Sequence, residues 1–206
     1  MKLSTKAQNL DVLQKLRLQK SVIPKFFKYT VEEWILDKDR IIKVLLEKLN
    51  KKIIIRSSYI LEDSEKNSMA GEFEGFSNVK NTKKNIFESV TNLIKQYKKK
   101  SKKKLHYLKS EIIFQNMILN TKLSGVVTNF CIKDGSFYYV INYDDVSGST
   151  DSVTSGSKTG GRVINIFRDD VIGVRSKKLR KVIESTQEIE RRIGVRPIDL
   201  KFAIDN

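Results

Sequence analysis

"IIIRSSYILEDSEKNSMAGEFEGF", residues 53–76, begins as a buried strand and then stops behaving like one. Ile53, Ile54 and Ile55 form a β-branched run of the kind that fills a sheet core. Arg56, Ser57 and Ser58 follow at once, and the chain then turns acidic and polar through Glu62, Asp63, Glu65 and Glu72 to Glu74. Why a core strand should deliver an arginine and two serines into a long polar segment is the question this stretch poses. "SMAGEF", Ser68 to Phe73, has the composition of a turn whose backbone amides can face an anion, and it has equally the composition of an ordinary surface loop.

Around that stretch, helical periodicity dominates. Ser4 or Thr5 can cap a helix carrying Ala7, Leu10, Leu13 and Leu16, ending before Pro24. "TVEE", Thr30 to Glu33, has capping-box spacing and opens a helix whose apolar face is Ile42, Leu45, Leu46 and Leu49. A third helix is predicted over 82–98 with Ile86, Val90, Leu93, Ile94 and Tyr97 as its stripe. The second half changes to β-branched and aromatic runs at 111–119, 124–132, 136–143 and 162–167. Asp134-Gly135 supplies a hairpin turn between the second and third runs. Residues 147–161 hold twelve Ser, Thr or Gly among fifteen and cannot build a packed element alone. A helix over 177–193, stopped by Gly194, and an alternating strand over 198–205 complete the chain. The expected fold is α+β with two lobes, 1–105 and 106–206, the second holding a mostly antiparallel sheet.

Composition bounds the chemistry. The chain has 206 residues, and its 39% hydrophobic and 31% charged content suit a globular protein. No run approaches the ~20 apolar residues of a membrane helix, and the first residues lack a secretory apolar region, so a cytoplasmic protein with no membrane partner is expected. A single Cys131 and a single His106 exclude an internal disulfide and the usual Cys/His zinc sets. The net charge of +16 invites a nucleic-acid reading, but the lysines are spread along the chain. The dense block Lys98 to Lys104 leaves a solvated linker and a basic patch both open, and nucleic acid is not the expected partner.

The motifs carry more. "IRSSYILEDSEKNSMAGEFEGFSNV" resembles the nucleotide-binding signature of the pyruvate phosphate dikinase and phosphoenolpyruvate synthase family, where V-R-S-S/G is followed by E-D, S-F-A-G-Q and N-V. "STKAQNL" (4–10) resembles that family's G-G-K-G-x-N-L, and "FQNMILNTKLSGVV" (114–127) its V-Q-x-M-V and S-G-V. "GSTDSVTSG" (148–156) resembles G-L-G-E-x-V-V-S-G, and "DLKFAID" (199–205) resembles D-I-E-F-A-I-D. Within the family "INYDDVSGSTDSVTSGS" is most similar to L-glutamine kinases, which serve the decoration of bacterial capsules.

The resemblance implies a two-lobed ATP-grasp domain of a phosphotransferase, with ATP and Mg²⁺ as cofactors. Lys6 and Arg56 would meet the phosphates, and Ser68, Ala70 and Gly71 would fold amides over them. Gln115 and Met117 would border adenine, Asp151 would contact the nucleotide, and Asp199 would offer an oxygen to Mg²⁺. It also implies partners, a swivelling phosphohistidine domain and an acceptor domain, through which ATP would phosphorylate a histidine and then an acceptor such as glutamine. Two departures stand against turnover by this chain alone: Lys201 occupies the position of the metal-binding glutamate, and the chain stops at Asn206, ahead of the family's Q-x-R segment. A regulatory module on a nucleotide-binding fold, without activity, is the alternative.

Overall fold

The computed structural model describes residues 5–61, 63–64, 67–68, 73–101, 103–131, 134–146, 161–171, 173–194 and 196–205. The fold is α+β, as expected, and divides into two compact units, each with its own antiparallel sheet. The first unit comprises Met1–Lys15 and Ile23–Met117, the second Leu16–Val22 and Ile118–Asn206.

In the first unit the order is α1 (Lys6–Lys15), β1 (Phe26–Thr30), α2 (Val31–Lys48), β2 (Lys52–Ser58), β3 (Asp63–Ser64), β4 (Asn67–Ser68), β5 (Phe76–Lys80), α3 (Lys83–Lys100), α4 (Lys104–Lys109) and β6 (Glu111–Asn116). Four strands form a sheet in the order β1-β6-β2-β5, while β3 and β4 pair only with each other. The capping box at the start of α2 is present: Thr30 Oγ1 accepts the Glu33 amide at 3.1 Å, and the Glu33 carboxylate accepts the Thr30 amide at 2.6 Å. One face of the sheet, with Ile53, Ile55, Ile112 and Phe114, closes a core against Ile41, Ile42 and Leu45 of α2 and Ile86, Val90, Leu93 and Tyr97 of α3.

In the second unit β7 (Leu123–Thr128), β8 (Tyr138–Asp144), a 3₁₀ turn (Arg168–Asp170) after β9 (Arg162–Phe167), α5 (Lys177–Ile193) and β10 (Asp199–Ile204) follow one another. The sheet order is β10-β7-β8-β9. Leu123, Val127, Ile141 and Ile166 on one face bury against Leu179, Val182 and Ile183 of α5. Gly125 is obligatory in β7, because a Cβ there would stand 2.1 Å from the Asn142 carbonyl oxygen of β8.

Several expectations change. The units divide between Met117 and Ile118 rather than at 105/106, because β6 pairs with β1 and β2 and belongs to the first sheet. β1 and β5 were not anticipated. β1 has only five residues, and β5 pairs across a register shift opposite Ile53–Ile55 and carries Asn78 at φ 56°, which blurs the period-2 signal. The lysine block is not a linker strung between elements: Lys98 to Lys100 are the last turn of α3, and Lys104 opens α4. Cys131 follows β7 outside any strand and is half-exposed.

Candidate functional site

The first candidate site is built on the face of the first sheet opposite its core. Cross-strand partners share a face, and alternate residues of a strand point the same way. Ser58 pairs with Glu111, Arg56 with Ile113 and Ile54 with Gln115. On the other side of β6, Thr30 pairs with Glu111, Lys28 with Ile113 and Phe26 with Gln115. These residues therefore line one face.

α1 is laid across one end of that face. Ser58 Oγ accepts the Ala7 amide at 3.0 Å, Thr5 Oγ1 donates to Glu111 Oε2 at 3.2 Å, and Lys28 Nζ joins Asp11 at 2.6 Å and Glu111 at 2.9 Å. Burial opposes the charge on Lys28, but its hydrogen bonds to Asp11 and Glu111 outweigh that cost and raise its pKa. Lys6 is the residue before Ala7, and Arg56 lies two residues before Ser58 on the same side of β2. The two half-buried cations anticipated for phosphate binding are thus brought to the same end of one sheet face, and both engage in interactions with the rest of the protein.

The exit of β2 is held rigidly. The buried Tyr97 hydroxyl accepts the Ser58 amide and donates to the Glu111 carbonyl, both at 2.8 Å. Ser110 Oγ accepts the Ile60 amide at 3.2 Å. Tyr59, Phe73 and Tyr97 cluster with ring centroids 5.0 to 5.4 Å apart, so the two ends of the polar stretch meet on one aromatic base. This answers why a core strand runs into an arginine and two serines: Ser57 and Ser58 are buried sheet residues, and Ser58 is the seat of α1.

Gln115 is buried on the Arg56 side of β6, and the half-buried Met117 follows the strand, its amide donating to the Lys52 carbonyl at 3.2 Å. Ser68 falls in the short β3–β4 ladder opposite Asp63. Ala70, Gly71 and Asp151 lie outside the described residues.

Asp199 and Lys201 belong to the second unit, not to this sheet. Both are exposed and project from the face of β10 opposite Leu200, Phe202 and Ile204, which pack toward α5. Asp144 shares that face from β8, but it is buried and its Oδ1 accepts the Val146 amide. Among the described residues no group of three His, Cys, Asp or Glu side chains could hold a metal ion, and protonated Lys201 beside Asp199 only donates. The described residues therefore form no three-ligand metal centre. A groove of about 480 Å³ in this unit lies on the α5 side, lined by Leu123, Tyr143, Arg162 and the first turn of α5, away from Asp199.

Sequence reasoning missed a buried polar cluster behind β10. Glu190 accepts from Asn129 Nδ2 at 2.5 Å and from the Tyr139 hydroxyl at 2.8 Å, and it pairs with Arg168, whose guanidinium stacks 4.9 Å from the Tyr139 ring. Burial, then the Glu190 hydrogen bond and charge, push the Tyr139 pKa up to about 12. Asn129 also accepts the Ile198 amide at 2.8 Å and donates to the Arg196 carbonyl at 2.8 Å, fixing the approach to β10. The signal was a carboxylate in the helical stripe of α5, four residues after the buried Thr186.

No protein-family model and no curated protein sequence matches the chain. Among solved structures it is similar to N5-carboxyaminoimidazole synthetase from Staphylococcus aureus complexed with ADP, at 13% identity and TM-score 0.48, covering 98% of this chain and 40% of that one. It is also similar to D-alanine-D-alanine ligase from Helicobacter pylori, at 11% identity and TM-score 0.47, covering 98% of this chain and 47% of that one. The chain thus spans less than half the length of either. No family model and no curated sequence matches the chain, and these two structures are of a synthetase and a ligase, so the family resemblance drawn from the motifs is corrected: the chain is not assigned to that family or to the L-glutamine kinases. Likenesses this distant assign neither a ligand nor a residue role.

Proposed function

We propose that the first unit binds ATP through its phosphates at the end of β2, with Lys6 and Arg56 as the cationic contacts. The observation that carries this reading is the Ala7 amide seated 3.0 Å from Ser58 Oγ, which puts the first turn of α1 beside the Arg56 side of the sheet. A guanidinium fork and an ammonium at one point suit a chain of anionic oxygens. Ser68, Ala70 and Gly71 would bring the loop's amides to the same phosphates. Down the same face the register runs from Ser58 through Arg56 and Ile54 to Lys52, six residues or ~20 Å of strand. Gln115 and then Met117 stand beside the far part of that run, where an apolar and amide-bearing surface suits a purine base. Mg²⁺ enters this account only as the companion of the nucleotide. Asp151 receives no role.

The test is equilibrium binding of ATP, with adenosine as the phosphate-free control. The expected result is ATP affinity that falls at least tenfold in Arg56→Ala, with adenosine bound far more weakly than ATP. Equal binding of ATP and adenosine would remove the phosphate site.

A second reading, binding without turnover, is favoured by Lys201 standing beside Asp199 where a metal would need a second carboxylate. Release of phosphate from bound ATP by this chain alone would overturn it.

A further inference from the structure

The lysines at the α3–α4 corner are set at the same end of the sheet as Ser58 and Arg56, on the side that α3 covers. Tyr97, in the last turns of α3, reaches the Ser58 amide and the Glu111 carbonyl, and Lys98, Lys99 and Lys100 follow it directly. Lys103 and Lys104 lead into α4, whose Tyr107 and Leu108 pack on the first core. The corner is therefore anchored by a buried tyrosine on one side and by packed α4 residues on the other. Lys98, Lys99, Lys103 and Lys104 are exposed and make no ion pair among the described residues, and the Lys98 ammonium sits 5.4 Å from the Tyr107 ring centroid. Between Lys83 and Ser110 the chain carries a single acidic residue, Glu88.

Unpaired lysines have a structural use at a helix C-terminus, where they offset the carbonyl dipole. That use is satisfied within the last turn and does not require Lys103 and Lys104 beyond it. Fixed like charges near a binding site raise the local concentration of a counter-charged ligand and its association rate, an effect that decays over ~10 Å in 0.1 M salt.

We propose that the α3–α4 lysine corner is an electrostatic approach surface that speeds capture of the nucleotide's polyphosphate by the Lys6 and Arg56 site. It rests on the ATP reading above, and it adds that these lysines act on the encounter and not on the bound state. A quadruple Lys98→Gln, Lys99→Gln, Lys103→Gln and Lys104→Gln variant separates the two. A control with the same loss of charge is Lys48→Gln, Lys51→Gln, Lys80→Gln and Lys84→Gln, at the opposite end of β2 from Ser58. Stopped-flow association of a fluorescent ATP analogue is expected to slow roughly tenfold at low ionic strength in the corner variant. Its dissociation rate should stay unchanged, the control should stay close to wild type, and added salt should erase the difference. Equal slowing in both variants, or none in the corner variant, would overturn the proposal while leaving the ATP site intact. A wild-type protein that does not bind the analogue would remove the ATP reading and this inference with it. Salt-sensitive RNA binding that the corner variant abolishes, with nucleotide association unchanged, would assign the surface to nucleic acid and overturn the proposal.

Discussion

Ala7 donates its amide to Ser58 Oγ across 3.0 Å, joining the first turn of α1 to the last residue of β2 although fifty-one positions separate them in sequence. Both residues are buried, so this bond fixes the start of α1, where Lys6 stands, against the end of β2. Ser58→Ala leaves the Ala7 amide without its acceptor. It is expected to cost about 1 to 3 kcal/mol in urea denaturation and to weaken ATP binding without removing either cation. Full ATP affinity in a destabilised Ser58→Ala protein would show that α1 does not position the site.

Tyr97 serves the same junction from the core side. Tyr97→Phe keeps the ring among Tyr59 and Phe73 but deprives the Ser58 amide of its acceptor and the Glu111 carbonyl of a donor. A loss of about 1 to 3 kcal/mol is expected, with faster amide exchange at Ser58 and unchanged exchange in the second unit. A variant as stable as wild type would mean that water replaces the hydroxyl at no cost.

The segment Leu16–Val22, which belongs to the second unit, is held by α5, where the Glu184 carboxylate pairs with the Lys20 ammonium at 3.3 Å. Glu188 accepts the Gln19 amide at 2.7 Å and the Lys20 amide at 2.8 Å, and Ser185 Oγ donates to the Lys20 carbonyl at 3.0 Å. Those backbone hydrogen bonds lower the Glu188 pKa. A depressed carboxylate stabilises the folded state fully above its unfolded value of about 4.3, and the contribution fades as the pH falls through the lower folded value. Tryptic cleavage after Arg17 and Lys20 at neutral pH is therefore expected to be slow in the wild type and several-fold faster in Glu188→Ala. Hydrogen exchange at the Gln19 and Lys20 amides should rise below about pH 4 beyond the change in intrinsic rate, in the wild type only. Unchanged cleavage in the variant would show that Glu184 and Ser185 suffice.

Arg168 and Glu190 form a mostly buried pair inside the cluster that also holds Tyr139 and Asn129. Removing one partner strands the other, so Arg168→Met should cost about 3 to 5 kcal/mol, and the double variant Arg168→Met with Glu190→Leu should recover part of it. Chemical denaturation of the four proteins in the cycle measures this. A single variant within about 0.5 kcal/mol of wild type would show that solvent reaches Glu190.

Much of this architecture was legible because its signals are local. The capping box at Thr30, the stripe from Ile86 to Tyr97, the strand at Arg162–Phe167 and the helix ended by Gly194 all follow from spacing within one element. What could not be read was pairing at a distance. β6 resembles the strands that follow it, and only its ladders to β1 and β2 show that it closes the first sheet. The motifs put Lys6 and Arg56 on one ligand, but the bond that ties the start of α1 to the end of β2 runs from Ala7 to Ser58, a pairing that no local spacing announces. Asp199 was placed with the same ligand on the strength of a family likeness that does not hold; it lies on β10 of the second unit's sheet, two residues before Lys201.

The claim on which the rest depends is that Lys6 and Arg56 hold one polyphosphate together. A double-mutant cycle on ATP affinity, using Lys6→Ala, Arg56→Ala and the double variant, tests it most directly. Each single variant is expected to lose at least tenfold, and the double variant is expected to lose clearly less than the product of the two, a coupling of about 0.5 to 3 kcal/mol. Strictly multiplicative losses, or a Lys6→Ala protein that binds ATP as well as wild type, would contradict the account.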